Sequence, residues 1–218
     1  RGGSFMCKHH PAIQNELVIR GVSFEVISDA QANQIITEIA SPAVNYDVMK
    51  LEKYPRIAVY SPKSNQPWDD AVTLVLTYAE IPYDIIFDDE IMNGVLPKYD
   101  WVHLHHEDFT GQYGKFYSQF SNMPWYVEQV TESEELARKH GFHKVSQLKL
   151  SVAKRIKEFV TGGGFLFAMC SATDTYDIAL AAEGVDICER MFDGDPADPH
   201  AQDKLNYDNS LAFTDFRL

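Results

Sequence analysis

Cysteine is scarce in this chain: Cys7, Cys170 and Cys188 are the only three in 218 residues. An odd, sparse set is no disulfide framework, and it leans towards a reducing compartment such as the cytoplasm. Long hydrophobic runs are missing. None reaches the roughly 20 residues needed to span a bilayer. Positive charge is also short: 19 Lys and Arg stand against 32 Asp and Glu, a net charge of −13. That balance argues against nucleic acid as a partner, because nucleic-acid binding needs a basic footprint. It argues equally against a polybasic membrane-surface module. The chain opens Arg1-Gly2-Gly3-Ser4, with neither a Met nor a signal-peptide pattern, and reads as a trimmed or mid-chain start. Apolar side chains, by contrast, are plentiful. Hydrophobic residues make up 45% and aromatics 12%, enough for a sizeable core.

The clearest patterning lies in residues 56–218, within a second domain set at 51–218. Arg56-Ile-Ala-Val-Tyr60 is a short apolar run that ends at Ser61-Pro62, a strand and its breaker. Asp69 and Asp70 then introduce a helical spacing through Ala71, Val72, Leu74, Val75 and Tyr78, stopped by Pro82. Tyr83–Phe87 and Trp101–His105 are expected as two further strands. Residues 106–147 read as loop-rich with some helix. Gln147–Val160 is strongly amphipathic, with Leu148, Val152, Ile156 and Phe159 on one side, and Gly162-Gly163-Gly164 closes it. Phe165–Met169 follows as a buried-type strand, and a helix is expected from Tyr176 towards Gly184. Residues 193–210 read as a long acidic loop, with Leu211-Ala-Phe213 the start of another strand. This alternation predicts an α/β fold, a flavodoxin-like three-layer sandwich with a mostly parallel central sheet.

Residues 1–50 are set apart as an N-terminal extension or part of a neighbouring unit. Leu17–Ser28 is strand-like and Ala30–Ala40 helix-like. Gly2-Gly3-Ser4-Phe5-Met6-Cys7 echoes Gly163-Gly164-Phe165 and Cys170, though the spacing differs.

Two groups of residues could carry chemistry. Cys170 stands where an apolar strand gives way to a helix. A sharp turn at that junction would expose a nucleophile above the sheet, a nucleophile elbow. The helix start favours a thiolate, and the Ser171 backbone N–H is a candidate oxyanion donor. The bland alternative is a core cysteine at a strand end. A catalytic Cys needs a base, and His103, His105 and His106 lie at the carboxyl end of a neighbouring strand, where ligand crevices of parallel sheets form. Sequence leaves open which of the three reaches it. The second group is His103, His105 and Glu107. Alternate residues of a strand share a face, so these three could hold a metal; the alternative is a polar strand end lining a crevice. Gly162-Gly163-Gly164 precedes a strand and lacks the Lys-Ser/Thr of a phosphate loop, so no nucleotide cofactor is expected.

Residues 56–185 resemble the class I glutamine amidotransferase-like superfamily. The features that carry the likeness are Arg56–Tyr60 with its helix, Tyr99–His105, and Gly162-Gly-Gly-Phe-Leu-Phe-Ala-Met-Cys170 with small residues after it. The chain also resembles bacterial chains loosely labelled asparagine synthetase B. The resemblance implies a cysteine-dependent amidase or hydrolase with Cys170 as nucleophile, Ser171 as oxyanion donor, and a small amide or amino-acid-like ligand. It departs from the family in two places. Where Gly-Gly is usual, the chain reads His105-His106-Glu107, and no His-x-Glu follows Cys170. The alternative it implies is a non-catalytic ligand-binding or interaction domain that pairs with itself as a homo-oligomer or with a partner domain.

Overall fold

In the computed structural model, residues 4–43, 48–51, 55–62 and 70–218 are described. Gly2, Gly3, Lys63, Trp68 and Asp69 lie outside them. The chain divides into two compact units, Arg1–Tyr54 and Pro55–Leu218.

In the first unit, β1 (Ser4–Met6) and β2 (Val48–Lys50) pair in parallel, Ser4 opposite Val48. Between them run α1 (Pro11–Ile19) and α2 (Asp29–Ile39). The expected strand over Leu17–Ser28 does not form. Pro11 at the first helical turn and a His10 side chain accepting from the Ala12 N–H start a helix instead, which absorbs Leu17 and Val18. The helix expected at Ala30–Ala40 is present as α2. Ser28 and Gln31 form a reciprocal capping box at its start.

The second unit is α/β. Its strands are β3 (Ile57–Tyr60), β4 (Tyr83–Ile86), β5 (Trp101–Leu104) and β6 (Phe165–Ala168). They form one parallel sheet in the order β4-β3-β5-β6. The first strand of the unit thus sits inside, with β4 on one side and the later β5 and β6 on the other. Helix α3 (Asp70–Tyr78) joins β3 to β4, and α4 (Asp88–Met92) leads from β4 towards β5. Between β5 and β6 lie α5 (Gly114–Phe120), α6 (Pro124–Lys139) and α7 (Val145–Thr161). Right-handed crossovers place α3 and α7 on opposite faces of such a sheet. This is the expected sandwich topology with a parallel centre.

Every second strand residue points to the same face. Ala58, Tyr60, Ile86, Val102 and Leu104 meet Leu148, Val152, Ala153 and Ile156 of α7 and Ala172, Tyr176 and Leu180 of α8 (Ser171–Ala181) in one buried core. At the other end of the strands, Arg56 grips Asp100 with both Nε (3.1 Å) and a terminal nitrogen (3.2 Å), and its N–H adds a third bond (2.9 Å). That fork pins the β3–β5 register. The opposite face is thinly covered at its edge: Phe165 and Phe167 are 58% and 46% exposed.

Three loop expectations need correction. Residues 106–147 hold the 16-residue α6, started by Pro124 at its first turn. Its buried positions are Tyr126, Ser133 and Ala137, so the apolar stripe that would announce it is thin. The stretch 193–210 begins where a short helix, α9 (Arg190–Asp193), ends, and it contains the short helix α10 (Ala201–Lys204) and a single 3-10 turn at Tyr207–Asn209. Leu211-Ala-Phe213 is not a strand. The buried Asp177 carboxylate of α8 accepts the N–H groups of Leu211, Ala212 and Phe213, each at 2.8 Å, and gathers them into a turn.

Candidate functional site

Two features lie at the carboxyl ends of the strands. The first is the turn from β6 into α8. Cys170 caps α8 with φ 55° and ψ −139°. A positive φ is unfavourable for a residue with a Cβ and costs about 1–3 kcal/mol unless the surroundings impose it. The strand on one side and the helix on the other do impose it, and the side chain they hold out is exposed. A side chain so displayed at a strand–turn–helix junction has the geometry of an elbow.

The loop after β5 is tied to the start of this helix. Ser171 Oγ donates to the His106 carbonyl at 2.5 Å, and the Ala172 N–H donates to the His105 carbonyl at 3.3 Å. Thr175 Oγ1 lies 3.3 Å from the Glu107 carbonyl but donates more closely, at 2.6 Å, to Ser171 O. The His105 and His106 rings lie against each other, 3.6 Å between centroids and tilted by 31°. His105 is buried and its N–H donates to Glu107 Oε2 at 3.4 Å. The loop itself is braced by Asp108, whose carboxylate accepts from the N–H groups of Thr110 (2.7 Å) and Gly111 (2.9 Å). Gly111 has φ +81°, and a Cβ there would come within 2.8 Å of the Ser146 nitrogen, so only glycine lets the loop close on α7.

His103 goes elsewhere. It is the only one of the expected metal trio on β5, which ends at Leu104. Its ring stacks on Phe167 (5.3 Å) on the face opposite the core, and burial lowers its pKa. Its Nε2 is buried without a hydrogen bond. Among the described residues, His103, His105 and Glu107 do not bring ligand atoms together into a metal-sized group. The strand stops one residue too soon for the alternation to place them on one face. The group that does converge is Asp186, Asp193 and Asp195. An ammonium already sits in it: Lys144 Nζ lies 2.7, 3.0 and 2.7 Å from the three carboxylates. Burial pulls the Lys144 pKa down, but the three hydrogen bonds outweigh it and hold the ammonium above its usual range.

The second feature was not foreseen from the sequence. Tyr60 at the end of β3, Asp88 after β4 and Lys149 on α7 form a buried polar cluster. Tyr60 OH donates to Asp88 Oδ1. Lys149 Nζ lies 2.8 Å from both Tyr60 OH and Asp88 Oδ2. Burial, then the Asp88 charge, push the Tyr60 hydroxyl far above its normal range, so it is a permanent donor here. The one available signal was a lysine in helical phase with Val152, Ala153 and Ile156. Phe87 covers the ammonium at 4.4 Å from ring centroid to Nζ. The same Phe87 lines a cleft of ≈ 340 Å³ together with Pro62, Asp89, Ser133, Leu136 and Lys139. Asp89 there is bonded by Lys139 (2.7 Å) and by His140 (2.8 Å), bonds that lower its pKa. His140 thereby ties the end of α6 to α4.

Comparison with protein-family models, curated proteins and solved structures gives no match.

Proposed function

We propose that residues 55–218 form an amidotransferase-like cysteine amidase or hydrolase domain, with the elbow at Cys170 as its reactive centre. The observation that carries this reading is the positive-φ backbone of an exposed Cys170 between β6 and α8, at the start of the helix whose first two residues bond the His106 and His105 carbonyls. A core cysteine has no use for that conformation, since burying a thiol demands no positive φ.

The chemistry follows from the groups at hand. A helix N-terminus leaves its first N–H groups without intrahelical acceptors, and its dipole favours negative charge. Cys170 Sγ attacks the amide carbonyl of a small ligand. Its proton goes to His105 or His106, and the Ser171 N–H stabilises the oxyanion. The same histidine returns the proton to the departing amine as the C–N bond breaks, leaving a thioester. Water, deprotonated by the histidine, then cleaves that thioester and regenerates the thiol.

A second reading, a non-catalytic interaction domain, draws on the exposed Phe165 and Phe167 of the edge strand. Ammonia release separates the two. The protein and a Cys170→Ser variant are incubated with a panel of carboxamides that includes glutamine and asparagine. Release by the first and not the second supports the amidase. No release from any amide, with Cys170 inert to acylation by an activated ester, overturns it and leaves the interaction domain.

A further inference from the structure

We infer that Ser171 is a positioning residue: its hydroxyl clamps the His105–His106 loop to the elbow helix and so fixes the histidine pair relative to the Cys170 thiol. The inference rests on the proposed hydrolytic reading of the same site. It assigns to the Ser171 side chain a role distinct from that of its backbone N–H.

Three observations carry it. Ser171 is the residue immediately after the thiol, and its side chain is bonded across the site at 2.5 Å to the carbonyl of His106. The neighbouring carbonyl, His105, is held by the next residue of the same helix, the Ala172 N–H. Consecutive carbonyls of the loop are thus bonded by consecutive residues of the helix. The loop has no strand partner to hold it at this point, because β5 ends at Leu104. Thr175 cannot replace the clamp, since its single hydroxyl proton is engaged by Ser171 O at 2.6 Å. A hydroxyl at position 171 therefore sets where the two adjacent rings stand. Alanine or valine there would keep the helix but free the loop.

The test uses the full chain with Cys7→Ser, so that Cys170 is the one exposed thiol. The rate of Cys170 alkylation by iodoacetamide is followed across pH by peptide mass spectrometry. The variants are Ser171→Ala, Ser171→Thr, Ser171→Val and the double change His105→Ala/His106→Ala. Thr and Val are near-isosteric and differ in the hydroxyl, so a comparison survives if alanine fails to fold. The double histidine variant is expected to slow the neutral-pH rate. Val is expected to slow it roughly two- to tenfold, the range one hydrogen bond supplies, and Thr to restore it. If the histidine change alters the profile and the Val and Thr profiles superimpose on the parent, the clamp is overturned and the hydrolytic reading stands. If the histidine change leaves the profile untouched, the histidine-assisted site itself is overturned, and the clamp with it.

Discussion

Removing Lys149 tests whether the buried Tyr60–Asp88–Lys149 cluster is held together as an ion pair. Asp88 is 0% exposed and Lys149 5%. Their Nζ–Oδ2 separation is 2.8 Å, and the nearest other partner of each is the same Tyr60 hydroxyl. In Lys149→Met the carboxylate keeps the Tyr60 hydrogen bond and loses its counter-charge while remaining buried. Breaking a buried pair from one side costs about 3–5 kcal/mol, whereas replacing both partners by apolar groups is often neutral. Asp88→Leu alone is expected to cost a similar amount, and the double change Asp88→Leu/Lys149→Met less than either single change. The assay is urea unfolding followed by tryptophan fluorescence and, separately, by far-ultraviolet circular dichroism, since the chain has two units. The coupling between the two sites should then be several kcal/mol. Additive single losses, or a Lys149→Met cost below about 1 kcal/mol, would refute the reasoning.

Asp177→Ala removes the acceptor of three backbone N–H groups and should cost about 2–4 kcal/mol. Amide exchange at Leu211, Ala212 and Phe213 should accelerate while the sheet stays protected. The Lys144 cluster gives stability at both ends of the pH scale. Hydrogen bonding to Lys144 lowers the Asp195 pKa, so its contribution is present above the ordinary carboxylate range and is lost as pH falls through the folded value. The raised Lys144 ammonium contributes below its ordinary value and loses that contribution only as pH rises through its higher folded value. Lys144→Met should flatten both limbs of a stability-against-pH curve, and an unchanged curve would contradict the assignment. Burial, then Asp193 and Asp186, push the Cys188 thiol up to about 12. Ellman's reagent should therefore titrate Cys7 and Cys170 at once and Cys188 only on unfolding.

The second unit was legible where hydrophobic period and breakers coincide. Leu148, Val152 and Ile156 recur on one side of α7; the apolar run at Ile57–Tyr60 ends at Ser61-Pro62, and the run at Phe165–Ala168 is introduced by Gly162-Gly163-Gly164. The Cys170 turn was legible because a strand pattern passes into a helix pattern without a loop between. Legibility failed where structure depends on one side chain reaching far along the chain. Asp177 organises residues 34–36 positions away, and no local pattern at Leu211–Phe213 announces that. Lys149 meets Asp88 and Tyr60 across three elements, so a charge that looks solvated in the helix is internal in the fold. The metal trio failed for a smaller reason. Alternation holds only while the strand lasts, and β5 ends before His105.

The central claim is that the elbow makes Cys170 chemically different from an ordinary exposed thiol, and Cys7 in the same molecule is the control. Both are exposed, but only Cys170 is held at positive φ on a helix start, and the first residues of that helix bond the His105 and His106 carbonyls. The most direct measurement is the ratio of their acetylation rates by p-nitrophenyl acetate at neutral pH, read by peptide mass spectrometry. The account predicts that Cys170 is acylated at least about tenfold faster than Cys7 and that the advantage disappears in His105→Ala/His106→Ala. Equal rates at the two cysteines, or an advantage indifferent to the histidines, would contradict it.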